Sequence, residues 1–205
     1  MPNWCRNDLL VVTDNKEDLN KVTNLFENPR PFAAIYPEPD YNKVLVPFTH
    51  PQFHEGETAV VGRKGAWLDW RYQNWGVKWD LDKPENTEIV MEKQVWDHHG
   101  EKIEENGAHL TFETAWSSPV GVINKLASQL SEDTVVINYF IEPGMRFFGF
   151  HIGGQNDHFV IPFNELDDLK KQYKAHPNGA FGKLLELYEE QVLYYLSDDE
   201  DEDEQ

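Results

Sequence analysis

One segment constrains the fold more than any other: HLTFETAWSSP, residues 109–119, joins a strand directly to a helix. Its first part alternates as a half-buried strand does, with Leu110, Phe112 and Thr114 on one face and Thr111, Glu113 and Ala115 on the other. Ser117 or Ser118 can cap the following helix, and Pro119 suits its first turn. A chain with this junction builds its core by packing helices on a sheet.

The same succession of strand and helix occurs near the start of the chain. Residues 7–13, NDLLVVT, predict a short apolar strand, and apolar residues then recur at helical spacing: Leu19, Val22, Leu25 and Phe26. Further strands are predicted at 77–82, 87–96, 109–116, 133–144 and 145–154, the last two forming a hairpin around a Pro-Gly turn. The segments FNELDDLKKQYKAH and GKLLELYEEQVLYYLS are predicted to be helices.

This order of elements predicts an α+β protein: an antiparallel sheet with helices on one face, in a ferredoxin-like two-layer sandwich. We expect the ferredoxin-like domain to span residues 1–162, with an inserted excursion at about 29–76. A C-terminal helical extension is expected over 163–196. Residues 197–205, which contain the acidic run DDEDEDE, are expected to form a disordered tail.

Three tryptophans crowd the stretch WRYQNWGVKWD, residues 70–80. AWLDWRYQNW, residues 66–75, predicts a short helix that ends at Gly76, and the favoured interpretation is a structural corner whose aromatic rings are core. The alternative is a stacking platform for nucleobases, which requires more positive charge than this stretch carries. The candidate binding residues are Trp75, Trp79, Arg71, Asp80, Trp116 and Glu113.

Charge restricts the kinds of partner. The 205 residues include 37 acidic and 18 basic ones, giving a formal net charge of −19. Direct binding to nucleic acid is therefore disfavoured, because that affinity depends on clusters of Lys and Arg. An acidic surface suits a basic partner instead, although solubility alone also explains such a composition.

No catalytic residue, metal site or cofactor is predicted. His50 and His54 are separated by Pro51, and the adjacent His98 and His99 point apart on an extended chain, whereas His151 and His158 lie on neighbouring strands and could approach. Cys5 is interpreted as a buried small hydrophobe, since no base is predictably near it. Asp80, Glu113 and Glu142 could form an acidic cluster that binds a divalent ion, with solvated acids as the alternative.

Nothing in the sequence indicates a membrane or an export signal. No window approaches 18 apolar residues, and the start MPNWCRNDLL lacks a basic segment followed by an apolar run. The single cysteine excludes an intramolecular disulfide. A cytoplasmic protein without membrane contact is expected.

Four pieces of the chain carry a resemblance to a known family: MPNWCRN, NWGVKWD, FETAWSSP and IEPGMRFFG. In this order they resemble the YubB-like proteins, ferredoxin-like-fold proteins of bacteriophages and conjugative plasmids. The pieces lie between residue 2 and about 150. Val77 stands where the family pattern has Thr, Ser118 where Pro is usual, and the acidic tail is outside the pattern. The resemblance implies this fold and a mobile-element origin, and it supplies no catalytic residues.

The function expected from these observations is a non-enzymatic interaction protein of a mobile element, acting in the host cytoplasm. It would bind a basic host protein through its acidic surface, for example as a nucleic-acid mimic that blocks a defence factor. The absence of a catalytic motif favours this role. The alternatives are a small metal-dependent enzyme that uses His, Asp and Glu, and a nucleic-acid binder with an aromatic sheet face. Formation of a homodimer stays open.

Overall fold

The computed structural model describes residues 2–48, 59–81, 87–98, 101–155, 158–173 and 179–202, without the side chains of 93–98, 101–105 and 198–202. The strands are β1 Trp4–Val12, β2 Glu88–His98, β3 Glu101–Ala115, β4 Val135–Glu142, β5 Phe147–Ile152 and β6 His158–Pro162. The helices are α1 Lys16–Phe26, α2 Pro31–Ile35, α3 Ala66–Asn74, α4 Val120–Ala127, α5 Leu166–Tyr173 and α6 Ala180–Glu202. The protein is therefore α+β, as the sequence predicts.

The six strands form one antiparallel sheet in the order β2-β3-β1-β4-β5-β6. The first strand lies inside the sheet, where Leu9 is opposite both Leu110 of β3 and Asn138 of β4. Its apolar run suits this place because both of its faces are covered. The antiparallel sheet is thus confirmed.

Helices cover both faces of the sheet, which corrects the prediction of helices on one face. Leu9 and Val11 of β1 belong to a first core that contains side chains of α1, α2, α3 and α4. Leu10, between them, belongs to a second core with side chains of α5 and α6. Since side chains alternate along a strand, the two cores lie on opposite faces. The C-terminal helices therefore form a layer of their own.

The predicted excursion contains two helices that pack on the first core. Phe32 and Ile35 of α2 are fully buried, as expected for residues that pin this segment to the body. The helix α3 ends at Asn74, one residue before the predicted end. Gly76, two residues further on, has a φ of 85°, a left-handed conformation that suits glycine. Residues 49–58 of the excursion lie outside the described residues.

The predicted strand at 77–82 is not formed over 77–81, and residue 82 lies outside the described residues. Val77 and Leu81 are buried in the first core, but the chain between them follows an irregular path. The Asp80 carboxylate accepts hydrogen bonds from the backbone N–H groups of Phe32 (2.8 Å) and Ala33 (3.0 Å) at the start of α2. This side chain acts as a helix cap across the fold, so the segment is fixed without a sheet partner.

The C-terminal region departs from the prediction at both ends. A 3₁₀ turn at Phe163–Glu165 precedes α5, and α6 continues to Glu202, beyond residue 196 where the predicted helical extension ends. Within the described residues, no helix combines the length and the apolar character that crossing a bilayer requires.

Candidate functional site

Trp75, the middle tryptophan of the stretch 70–80 and a predicted binding residue, is part of the core. Its side chain is fully buried, and its ring packs edge-on against Phe32 and Trp70, with centroids 6.1 and 5.9 Å away. The indole N–H donates to the backbone oxygen of Tyr36 at 2.9 Å. A buried indole with its single donor satisfied is a scaffold residue.

Arg71 is likewise held inside the excursion. Its guanidinium lies 4.7 Å from the centroid of the Trp75 ring and donates to Glu38 Oε1 at 2.7 Å and to the Lys78 backbone oxygen at 3.1 Å. The Glu38 carboxylate also accepts from Arg30 and from the Tyr41 hydroxyl. This network joins the segments around Arg30, Glu38 and Arg71 of the excursion. Arg71 and Asp80 therefore both stabilise the fold.

The four segments MPNWCRN, NWGVKWD, FETAWSSP and IEPGMRFFG meet at one end of the sheet. The Trp116 N–H donates to the Asn3 backbone oxygen at 2.9 Å, and the Ser117 hydroxyl donates to the Gly76 oxygen at 2.9 Å. The Asn3 side chain also packs so closely on Gly144 that a Cβ there would lie 2.4 Å from Asn3 Nδ2. Segments far apart in sequence thus form one structural unit.

Trp79 and Trp116, which we call the tryptophan pair, lie at this sheet end and are partly exposed. Their ring centroids are 5.2 Å apart with 34° between the ring planes, and Lys78 Nζ lies 4.9 Å from the Trp79 centroid and 5.9 Å from that of Trp116. Trp116 has a φ of 66°, in the left-handed region. A bulky residue there is an outlier that costs about 1–2 kcal/mol. Such strain concentrates at functional sites, so the pair is the leading candidate for a binding surface.

The predicted acidic cluster is not assembled. Glu113 lies opposite Arg6 on the sheet face that belongs to the second core, whereas Asp80 caps α2 beside the first core. Glu142 is fully buried and accepts hydrogen bonds from the backbone N–H groups of Gly144 and Met145 in the β4–β5 turn. Each of these acids therefore has a separate environment.

Among the residues described, no group of three or more His, Cys, Asp or Glu side chains could hold a metal ion. His151 and His158 do approach as predicted, with ring centroids 5.7 Å apart. Cys5 is fully buried, and burial, followed by the charge of Glu142, raises the pKa of its thiol. His50, His54 and His99 lie outside the described residues, as does the side chain of His98.

A second constellation surrounds Asp8, which is fully buried in the middle of β1. Its Oδ2 accepts from Arg6 Nε at 2.9 Å and from the Tyr188 hydroxyl of α6 at 2.7 Å. Its Oδ1 lies 2.9 Å from His109 Nε2 and accepts from the Thr111 hydroxyl at 3.1 Å. One carboxylate thus joins β1, β3 and the C-terminal helix.

These contacts shift the pKa of two buried groups. Burial alone would raise the pKa of Asp8, but the hydrogen bonds from His109, Arg6 and Tyr188 outweigh it and hold that pKa well below its ordinary value. Burial, together with the negative charge of Asp8, raises the pKa of Tyr188 well above its ordinary value. Asp8 is therefore an ionised acceptor and Tyr188 a neutral donor at physiological pH.

The Asp8 constellation was missed in the sequence, although one signal indicates it. Asp8 lies directly before the apolar run LLVV in the predicted strand at 7–13, and a charged residue inside a buried strand must be paired. Its partners His109 and Tyr188 are 101 and 180 residues away in the chain, so nothing local identifies them.

The fold and these two sites define the class of the protein: an α+β protein with a partly exposed aromatic pair at one sheet end and a buried ionic constellation within the sheet. Comparison with family models, with curated proteins and with solved structures gave no match to the chain.

Proposed function

We propose that this chain is an interaction protein that binds a basic partner protein, with the tryptophan pair as the anchor of the contact. The observation that carries the proposal is the geometry of Trp116: it is partly exposed, its ring lies against that of Trp79 at an angle of 34°, and its backbone has a positive φ. Tryptophan is among the residues most enriched at the energetic centres of protein interfaces.

The charge of the chain defines the partner. With a net charge of −19 the protein attracts basic surfaces over several ångströms, which speeds encounter and selects against acidic partners. An arginine of the partner is the natural occupant of the pair, because guanidinium groups bind indole faces. In the structure the Lys78 ammonium group lies against these rings, so binding of a partner arginine there requires the Lys78 side chain to change its position.

The proposed biological setting is a mobile genetic element in a host cytoplasm, with a host nucleic-acid-binding protein as the partner. A ferredoxin-like unit is part of the proposal: the order β2-β3-β1-β4, with α1 after β1 and α4 after β3, is that of a split β-α-β arrangement. The remaining strands and α5 and α6 extend it. An acidic protein that imitates nucleic acid would block such a partner directly.

A pull-down from host lysate with defined variants tests the proposal. We expect the wild-type chain to retain basic proteins at about 50 mM salt and to release most of them at about 500 mM, because salt screens surface charge. Trp79→Ala should lower the affinity about 30-fold, the effect of losing a contact worth about 2 kcal/mol. Quantitative mass spectrometry of the eluates measures both effects.

Trp67→Ala is the matched control, since Trp67 is 38% exposed on α3 and is not part of the tryptophan pair. It should leave the retained proteins unchanged. Equal recovery of the same proteins by Trp79→Ala and Trp67→Ala would contradict the proposal. Retention of single-stranded DNA by the purified wild-type chain, lost in Trp79→Ala, would favour the nucleic-acid binder instead.

A further inference from the structure

His109 of β3 and Glu92 of β2 are neighbours on one face of the sheet. In the β2–β3 register His109 is opposite Val90 and Glu92 is opposite Gly107, which places the two side chains diagonally on the same face. Both reach solvent: the side chain of His109 is 22% exposed and that of Glu92 is 42% exposed. An ion or small ligand can therefore reach both groups.

A contact with the Asp8 carboxylate fixes the orientation of the His109 ring. Its Nε2 lies 2.9 Å from Asp8 Oδ1, so Nε2 carries a proton and donates it to the carboxylate. This leaves Nδ1 on the side of Glu92. A histidine that donates one N–H to a carboxylate and presents its other nitrogen is the usual arrangement of a metal-binding histidine.

The distance between the two groups matches two ligands of one metal ion. His109 Nδ1 and Glu92 Oε1 are 3.6 Å apart, too far for a hydrogen bond. A tetrahedral ion with bonds of about 2.1 Å to a nitrogen and an oxygen holds those atoms about 3.4 Å apart. A shift of a few tenths of an ångström in the exposed Glu92 side chain closes the difference.

We propose that His109 Nδ1 and the Glu92 carboxylate bind a divalent metal ion of the zinc type. The remaining coordination positions go to solvent, since the described residues contain no group of three or more ligands. Imidazole and carboxylate together suit zinc, and nickel and copper bind such ligands as well. The charge on this face favours a cation, because Glu88 and Glu113 are also exposed there while Asp8 neutralises Arg6. This site does not depend on the tryptophan pair.

Calorimetric titration of the full chain with zinc chloride tests the site. Glu92→Gln removes one ligand from an exposed position and leaves the fold intact. We expect it to eliminate one equivalent of bound zinc, or to lower its affinity at least ten-fold, and His109→Ala should do the same. Glu88→Gln is the matched control, four residues from Glu92 on the same face of β2, and it should bind zinc as the wild type does.

Nitrogen NMR of the imidazoles locates the ion independently of other histidines in the chain. On addition of zinc, the Nδ1 resonance of His109 should shift in the wild type and in Glu88→Gln but not in Glu92→Gln. Identical zinc stoichiometry and affinity in the wild type and Glu92→Gln, or an unchanged His109 resonance, would overturn the proposal.

Discussion

Replacing Trp75 by alanine lowers the free energy of unfolding by about 3–5 kcal/mol, the cost of emptying a large aromatic site in a packed core. Trp75 is fully buried, and its ring supports Phe32, Trp70 and the Arg71 guanidinium. Its removal also leaves the Tyr36 carbonyl without the indole donor. Chemical denaturation followed by circular dichroism measures the loss.

The control for this prediction is Trp67→Ala on α3, the same substitution at a side chain that is 38% exposed. Its cost should stay below about 1 kcal/mol, since substitutions at exposed positions perturb stability little. If the two variants lost equal stability, Trp75 would not be a core residue.

The Asp8→Asn variant is expected to lose about 3–4 kcal/mol. Asparagine has nearly the same shape as aspartate, but it lacks the negative charge that accepts hydrogen bonds from Arg6, His109 and Tyr188. Its NH₂ group would also be directed at hydrogen-bond donors instead of acceptors. The fully buried Tyr188 hydroxyl then loses a charged acceptor. Equilibrium unfolding in urea at neutral pH measures the difference.

The pH dependence of that difference identifies the Asp8 charge as its source. The pKa of Asp8 is lower in the folded chain than the ordinary 3.8, so its stabilising contribution is complete above that pH and is lost as the pH falls through the lower folded value. The gap between wild type and Asp8→Asn should therefore be constant from about pH 5 to 7 and narrow in stronger acid. If the difference in free energy of unfolding between wild type and Asp8→Asn stayed the same even in strong acid, packing and not charge would explain the loss.

Glu113→Gln is the control for Asp8→Asn. Because Glu113 is exposed on the neighbouring strand, this substitution should lower the free energy of unfolding by less than about 0.5 kcal/mol.

Local periodicity predicts most elements of this fold, because strands and helices depend on neighbouring residues. The alternation in HLTFETAW indicates β3, and the apolar spacing after Asn15 indicates α1. The second helical layer was missed, although β4 holds the signal. VVINYFIE has apolar residues at every position except Asn138 and Glu142, and a strand that is apolar on both faces requires cover on both. In the structure it is buried at every position after the first.

The site was harder to predict because its residues acquire their roles from distant partners. Asp80 suits a binding residue by type, yet it caps a helix 47 residues earlier in the chain. Glu113 lies three residues before Trp116 in the motif FETAWSSP, but strand alternation places Glu113 on the sheet face of the second core, opposite Arg6. Trp79 and Trp116 are the members of the predicted set on which the proposed contact with a partner rests.

Site-specific photocrosslinking inside host cells tests the proposed role of the tryptophan pair most directly. Two variants are made, one with the photoreactive residue benzoylphenylalanine in place of Trp79 and one with it in place of Trp67. Host cells that express each variant are then irradiated. We predict a covalent adduct with a basic host protein from position 79 and none from position 67. Adducts from position 67 alone, or none from position 79, would contradict the proposal that this sheet end is where the protein binds its partner.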